Sequence, residues 1–188
     1  VYAFKMSNVA PTAVSVVSRK THGAAGDFDI PLPLTGTPGV ECRSGGATND
    51  HTLVVTFSSP VTVTGDTQAQ VSAGDVGSGG TSNGGNVTIS GNSVVVPLTN
   101  LPNAQTTNVT LFGVTDGTGY GNIVIPIGCL LGDVTGDKSV SSSDVAATKS
   151  FVSQDVTAAN FRSDVTANGA INASDVATVK GNVGAMLP

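Results

Sequence analysis

Residues 133–144 read Asp133-Val-Thr-Gly-Asp-Lys-Ser-Val-Ser-Ser-Ser-Asp144, and residues 164–175 read Asp164-Val-Thr-Ala-Asn-Gly-Ala-Ile-Asn-Ala-Ser-Asp175. Set in register, the two stretches share Asp133/Asp164, Val134/Val165, Thr135/Thr166, Ser143/Ser174 and Asp144/Asp175. The match runs on through Val145/Val176, Ala146/Ala177 and Lys149/Lys180, and Asp137/Asn168 and Val140/Ile171 are conservative exchanges. Such a duplication decides the local fold, because each copy must form the same supersecondary unit.

Each copy places oxygen-bearing side chains at positions 1, 3, 5, 9 and 12 of a loop. They are Asp133, Thr135, Asp137, Ser141 and Asp144 in the first, and Asp164, Thr166, Asn168, Asn172 and Asp175 in the second. That spacing suits calcium, since a tight turn folds alternate side chains inward around one hard cation. Position 7 gives a backbone carbonyl, from Ser139 and Ala170, so its side chain is free to vary. Position 8 is apolar (Val140, Ile171), as needed if the two loops pair through a short strand and bury that residue. The alternative is a pair of Asp/Asn/Ser-rich turns without metal, which two copies in register disfavour.

Position 12 is Asp, where a common EF-hand carries Glu. The segment entering the first loop, Ile123-Val-Ile-Pro-Ile-Gly-Cys-Leu-Leu131, is β-rich and broken by Pro126, so no helix precedes it. Each unit is therefore a loop followed by a helix. Two such units with Asp at position 12 resemble the dockerin domain of type I, the calcium-dependent docking module of cellulosome-type assemblies. The resemblance covers about residues 130–186. It implies two calcium ions and a protein partner of the cohesin kind. It also implies contact residues at loop positions 10 and 11 and on the helices: Ser142, Ser143 and Lys149, and Ala173, Ser174 and Lys180.

The departures bear on affinity. Thr135 and Thr166 stand where Asn or Asp is usual, and Lys138 takes the glycine position of the first loop, bringing a positive charge beside the ion. The first loop keeps three carboxylates and the second two. Calcium is expected at both, with dissociation constants of about 10⁻⁴ M, in the range of extracellular modules.

The 188 residues suit one moderate domain and one small one, placed at 1–129 and 130–188. Only 11% of residues are charged, but 39% are hydrophobic, enough to build a core, which argues against disorder. The net charge of −5 repels phosphate backbones, so nucleic acid is excluded as a partner. Much of the acid lies at the ligand positions themselves. No apolar run approaches the ~20 residues that span a bilayer. Val1-Tyr-Ala-Phe-Lys-Met6 has no initiating Met and no signal pattern, as in a mature, processed product. Cys42 and Cys129 are the two cysteines. Beside weak calcium loops they point to an oxidising, extracellular or cell-surface setting in which they could pair, adding roughly 4–5 kcal/mol. Two buried free thiols are the alternative.

The rest of the chain is a series of short β-branched runs. Tyr2, Phe4 and Met6 alternate in a first segment cut off by Pro11, a strand able to pair in its own sheet or to add to a neighbour's edge. Ala13–Ser18 follows, then Phe28-Asp-Ile-Pro-Leu-Pro-Leu34, where Pro31 and Pro33 demand a sheet edge. Thr52–Phe57 reads as the central strand, and Asn86–Ser90 with Ser93–Pro97 as a hairpin around Gly91-Asn92. Thr106–Val114 and Asn122–Ile127 complete the set, with a Gly-rich loop at 74–85. The phrase Leu53-Val-Val-Thr-Phe-Ser-Ser-Pro-Val61 is similar to bacterial Ig-like repeats of surface proteins. The fold class is thus mainly β: an N-terminal Ig-like or cohesin-like β-sandwich, plus a small α-helical dockerin-like domain with two calcium loop-helix units.

Catalytic constellations are lacking. His22 and His51 have no Cys/His/Asp cluster at zinc spacing. Asp27 and Asp29 point to one side of a strand like a glycosidase pair, but the sugar-stacking aromatics are too few, and a solvated edge is the better reading. No serine-hydrolase, phosphate-loop or Cys/His motif occurs. The sequence therefore reads as a non-enzymatic, extracellular, calcium-dependent assembly protein. A chain that carries both a sandwich and a docking unit suits a head-to-tail, self-associating subunit of a filament or surface array. The alternatives are an adaptor that docks onto a cohesin-type scaffold in polysaccharide-degrading complexes, and a carbohydrate-binding module.

Ser143 and Ser174 sit where helix N-caps belong, with helices over about 143–152 and 174–184. Val145, Thr148 and Val152 would share one face, and Val176, Val179 and Val183 the matching one. These β-branched residues are weak helix formers, so the helices need the ions. Chelation of calcium is expected to unfold the C-terminal unit, read as loss of its helical far-ultraviolet dichroism.

Overall fold

A computed structural model describes residues 9–77 and 84–188. Two six-stranded sheets face each other. The first runs in the order β2 (Asp27–Pro31), β1 (Ala13–Thr21), β4 (His51–Phe57), β10 (Ser93–Thr99) and β7 (Asp75–Val76), with β9 (Thr88–Ser90) also on β10. The second runs β3 (Gly39–Glu41), β12 (Tyr120–Cys129), β11 (Gln105–Thr115), β6 (Ala69–Val71) and β8 (Gly84–Gly85), with β5 (Thr62–Val63) also on β11. The pairings are antiparallel except β3 with β12, which is parallel. The expected N-terminal strand at Tyr2, Phe4 and Met6, and part of the 74–85 loop, lie outside the described residues.

The period of two builds the core. Leu53, Val55 and Phe57 of β4, Val94, Val96 and Leu98 of β10, and Ile125 and Ile127 of β12 are all buried and meet between the sheets. β4 lies in the interior of its sheet and β2 at its edge, where Pro31 forfeits no ladder bond. Gly91 at φ +59 makes the tight turn between β9 and β10. At the exposed edge Arg19 and Asp29 are register partners joined by two hydrogen bonds of 2.8 and 2.7 Å, and Thr21 bonds Asp27. The two aspartates are thus tied to neighbouring side chains on a solvated strand pair.

β12 leads straight into the C-terminal unit. Leu130 N–H donates to Glu41 O (2.9 Å) and Gly132 N–H to Cys42 O (2.9 Å), so the ladder beside β3 continues past the last strand. Helices α1 (Ser142–Ser150) and α2 (Ala173–Gly181) follow their loops, with a 3-10 turn at Phe161–Ser163 between them. Both helices stop before the expected ends, so Val152 and Val183 stay 38% and 53% exposed. Thr148 and Val179 are the buried pair. A second apolar cluster joins Val40 of β3 to Leu130, Val134, Val140, Val165, Val179 and Leu187.

The expected disulfide does not form. Cys129 is the register partner of Glu41 in the parallel β3–β12 pair and lies in the sandwich core. Cys42, one residue after Glu41, emerges on the opposite face, with its Sγ 3.8 Å from the Arg162 carbonyl. Neighbouring positions on a strand point to opposite faces, so the two Cβ vectors diverge and no bridge closes without moving backbone. Both thiols are buried and free. Burial pushes each up to about 12. Alkylation at pH 8 of the native protein is expected to leave both cysteines unmodified. Denaturation without reductant should then expose two reactive thiols by mass spectrometry.

Candidate metal centre

Each loop is wound around its first aspartate. Asp133 accepts the amides of Gly136 (2.7 Å), Asp137 (3.1 Å) and Lys138 (2.9 Å). Asp164 accepts those of Asn168 (3.1 Å) and Gly169 (2.8 Å). The position-12 acid closes the loop from the other side. Asp144 takes the amide (3.0 Å) and hydroxyl (2.9 Å) of Thr135, and Asp175 takes the amide (3.0 Å) and hydroxyl (2.8 Å) of Thr166. Asp133, Asp137 and Asp144 offer carboxylate oxygens that all lie within 4.8 Å of one another. Burial, and to a lesser degree the Asp144 charge, push the Asp133 carboxyl above its ordinary range. Crowded acids in a turn of inward-pointing oxygens fit a divalent cation, which would relieve their repulsion. Thr135 and Thr166 donate to the acids and keep lone pairs for a cation.

The helix caps differ from expectation. Ser141 and Asn172, at position 9, are the N-caps, and Asp144 and Asp175 complete capping boxes at N3. The box needs its acid three residues after the cap, which places the cap at position 9. Ser143 and Ser174 are exposed in the first turn, with their hydroxyls on Ser141 and Asn172. Position 12 thus closes its loop and starts its helix at once.

Val140 and Ile171 are buried as expected, but the loops do not pair with each other. Ser153, beyond α1, donates its amide to Ile171 O (2.9 Å). Gly184, beyond α2, donates to Val140 O (2.9 Å). Each loop is therefore fastened to the end of the other repeat's helix, at residues whose φ of +68 and +96 turns the chain back.

The exposed faces of α1 and α2 meet in one open groove lined by Ser142, Val145, Ala146, Lys149, Lys180 and Val183. Lys149 and Lys180, from the two repeats, both line this one groove. Ser143, Ala173 and Ser174 are exposed beside the loops and do not line it.

Two residues at this centre escaped the sequence reading. Arg162 clamps the first loop through backbone carbonyls, with Nε 2.8 Å from Val134 O and Nη2 2.9 Å from Asp133 O. His22, in the turn after β1, places Nδ1 2.9 Å from Asp164 Oδ2 with both side chains fully buried. Burial pushes the Asp164 carboxyl up, but the His22 bond and the loop amides outweigh it and hold that acid below the usual range. No local signal marks His22, because its partner is far along the chain. His51 stands apart in the sandwich; burial pushes it down to about 4.

Doubled loops with position-12 aspartates that cap their helices are thus in place. Residues 131–184 match the family model of the dockerin type I domain. No curated protein and no solved structure matches the chain. Dockerin type I domains bind calcium and are non-catalytic docking modules, typically for cohesins. They occur in secreted, extracellular proteins. A mainly β chain with a dockerin near its C-terminus agrees with the fold class read from the sequence.

Within the dockerin, Lys138 brings both a left-handed backbone and an unfavourable charge to its loop, whereas Ser153 at φ +68 and Ala167 at φ +54 share the backbone conformation without the charge. Lys138 holds φ +73 at the position where the second loop has Gly169 at φ +88. A side chain in the left-handed region costs roughly 1–2 kcal/mol, and the ammonium opposes a cation. Lys138→Gly, which removes the ammonium from beside the acids, is expected to raise calcium affinity at the first loop about tenfold, by calorimetric titration.

Proposed function

We propose that this chain is a non-enzymatic, extracellular assembly protein whose dockerin docks, with calcium bound at both loops, onto a sandwich domain of the cohesin kind in another protein. The first ion is held by Asp133, Thr135, Asp137, the Ser139 carbonyl, Ser141 and Asp144. The second is held by Asp164, Thr166, Asn168, the Ala170 carbonyl, Asn172 and Asp175. Calcium supplies the charge that holds each group of oxygens together, and the loops in turn start and join the helices. The units divide at 129/130.

The observation that carries the docking reading is the groove across α1 and α2. It is apolar at Val145, Ala146 and Val183, flanked by Lys149 and Lys180, and no sandwich residue lines it. The chain's own sandwich is engaged elsewhere, on Phe161, Asp164 and Val165. Ser142 lines the groove, and Ser143, Ala173 and Ser174, exposed beside the loops, are further partner contacts. A self-associating subunit of a filament is the second reading. An open groove between β1 and residues 31–35, with Val14 61% exposed, favours it, because such an edge accepts an extended segment from a second copy.

Binding of the full chain to an immobilised cohesin-type domain is expected in millimolar calcium and lost on chelation. Lys149→Glu with Lys180→Glu should weaken it at least about tenfold without changing calcium stoichiometry. Binding that survives both changes would remove the docking reading. Calcium-dependent fibres of the purified chain in electron microscopy would put self-association in its place.

A further inference from the structure

A buried hydrogen-bonded chain runs from the sandwich core into the second calcium loop: Ser18, Glu41, Arg43, His22 and Asp164. Ser18 and Glu41 come from the two different sheets and are bonded to each other. Arg43 Nε and Nη2 grip Glu41 at 2.8 and 2.7 Å. Arg43 Nη1 lies 3.2 Å from His22 Nε2. A guanidinium only donates, so Nε2 accepts. The ring hydrogen is therefore on Nδ1 and is donated to Asp164 Oδ2 at 2.9 Å. None of the five residues is more than 2% exposed.

The turn that carries His22 is pressed against the loop. A Cβ on Gly23 would stand 2.4 Å from the Asn168 carbonyl, and one on Gly169 would stand 2.8 Å from the His22 carbonyl. Only glycine permits this approach. Ser44 N–H donates to Val165 O at 2.6 Å, and Phe28 stacks on Phe161 at 5.2 Å between centroids. Asp133, the equivalent acid of the first loop, has only donors from its own loop among the described residues. The repeats match internally, and the sandwich reaches the first carboxylate of just one.

We propose that His22 is a positioning residue of the second calcium site, through which the sandwich orients Asp164 for the ion. This rests on the reading of that loop as a calcium site. The loop has two carboxylates where the other has three, so its affinity depends more on how each is held. Outer partners that orient a metal ligand are typically worth 10- to 100-fold in affinity. The sandwich is then part of the metal site, and calcium at the second loop stabilises the corner formed by His22, Arg43 and Glu41.

The test is a calcium titration of the full chain followed by amide resonances. Gly169 donates to Asp164 and Lys138 to Asp133, so the two resonances report the loops separately. In His22→Ala the midpoint at Gly169 is expected to move about tenfold or more to higher calcium, with Lys138 within about twofold of its original midpoint. In His22→Asn the amide nitrogen takes the place of Nδ1 and should restore most of the loss. Gly23→Ala, which changes no ligand and no donor, should act on Gly169 selectively by pushing the turn off the loop. It decides on the same criterion if His22→Ala does not fold. Unchanged midpoints, or an equal shift at both loops, would overturn the inference. If Gly169 in the unsubstituted chain does not respond to calcium while Lys138 does, the second loop is not a calcium site and the inference falls with that reading.

Discussion

Arg43 is the largest fully buried side chain among the described residues, and the junction is built around it. Burying a guanidinium is costly unless every donor is met. Here all five are met: Nε and one Nη2 hydrogen by Glu41, the other by Ser18 O, and the two on Nη1 by Phe28 O and His22 Nε2. Phe161 lies over the guanidinium at 5.5 Å. Glu41 answers by staying ionised although buried. Burial alone would raise it, but the hydrogen bonds and charge of Arg43 bring it to about 2. Because these partners come from β1, β2, β3 and the C-terminal unit, satisfying one cation fixes how the sandwich meets the dockerin.

The dockerin has a small core of its own, built from Leu130, Val134, Val140, Val165, Val179 and Leu187. Its helices are short, weakly amphipathic and rich in β-branched residues, which isolated helices do not tolerate. They persist because the position-12 acids that close the loops also complete their capping boxes, and because each loop is tied to the far end of the other helix. Remaining support comes from Val40 and from the polar junction. Loop, helix and sandwich are thus held by overlapping sets of the same residues, so a change at one is felt at the others.

This division leaves one surface of the dockerin uncommitted. The face on the sandwich carries the buried chain ending at Asp164, whereas the groove between the lysines faces outward. A docking unit fixed to its neighbour by buried polar contacts presents that groove at a defined orientation. A flexible tether would not, and a defined orientation reduces the entropy lost on association.

The sequence by itself determined the doubled loops, the loop-helix order, the sandwich class, the edge at Pro31 and the hairpin at Gly91, because each rests on spacing within a few residues. The close approach of Asp133, Asp137 and Asp144 was legible for the same reason. The caps at Ser141 and Asn172 were legible in principle, since their acids stand three residues on, but the serines at 143 and 174 drew the assignment away. Tertiary structure alone decided the rest. Cys42 and Cys129 look like a pair until the β3–β12 register sends them to opposite faces. His22 looks idle until the turn after β1 brings it to Asp164, and nothing in its neighbours along the chain marks Arg43, which five acceptors enclose. These outcomes depend on which distant segments share a boundary, and local spacing carries no record of that.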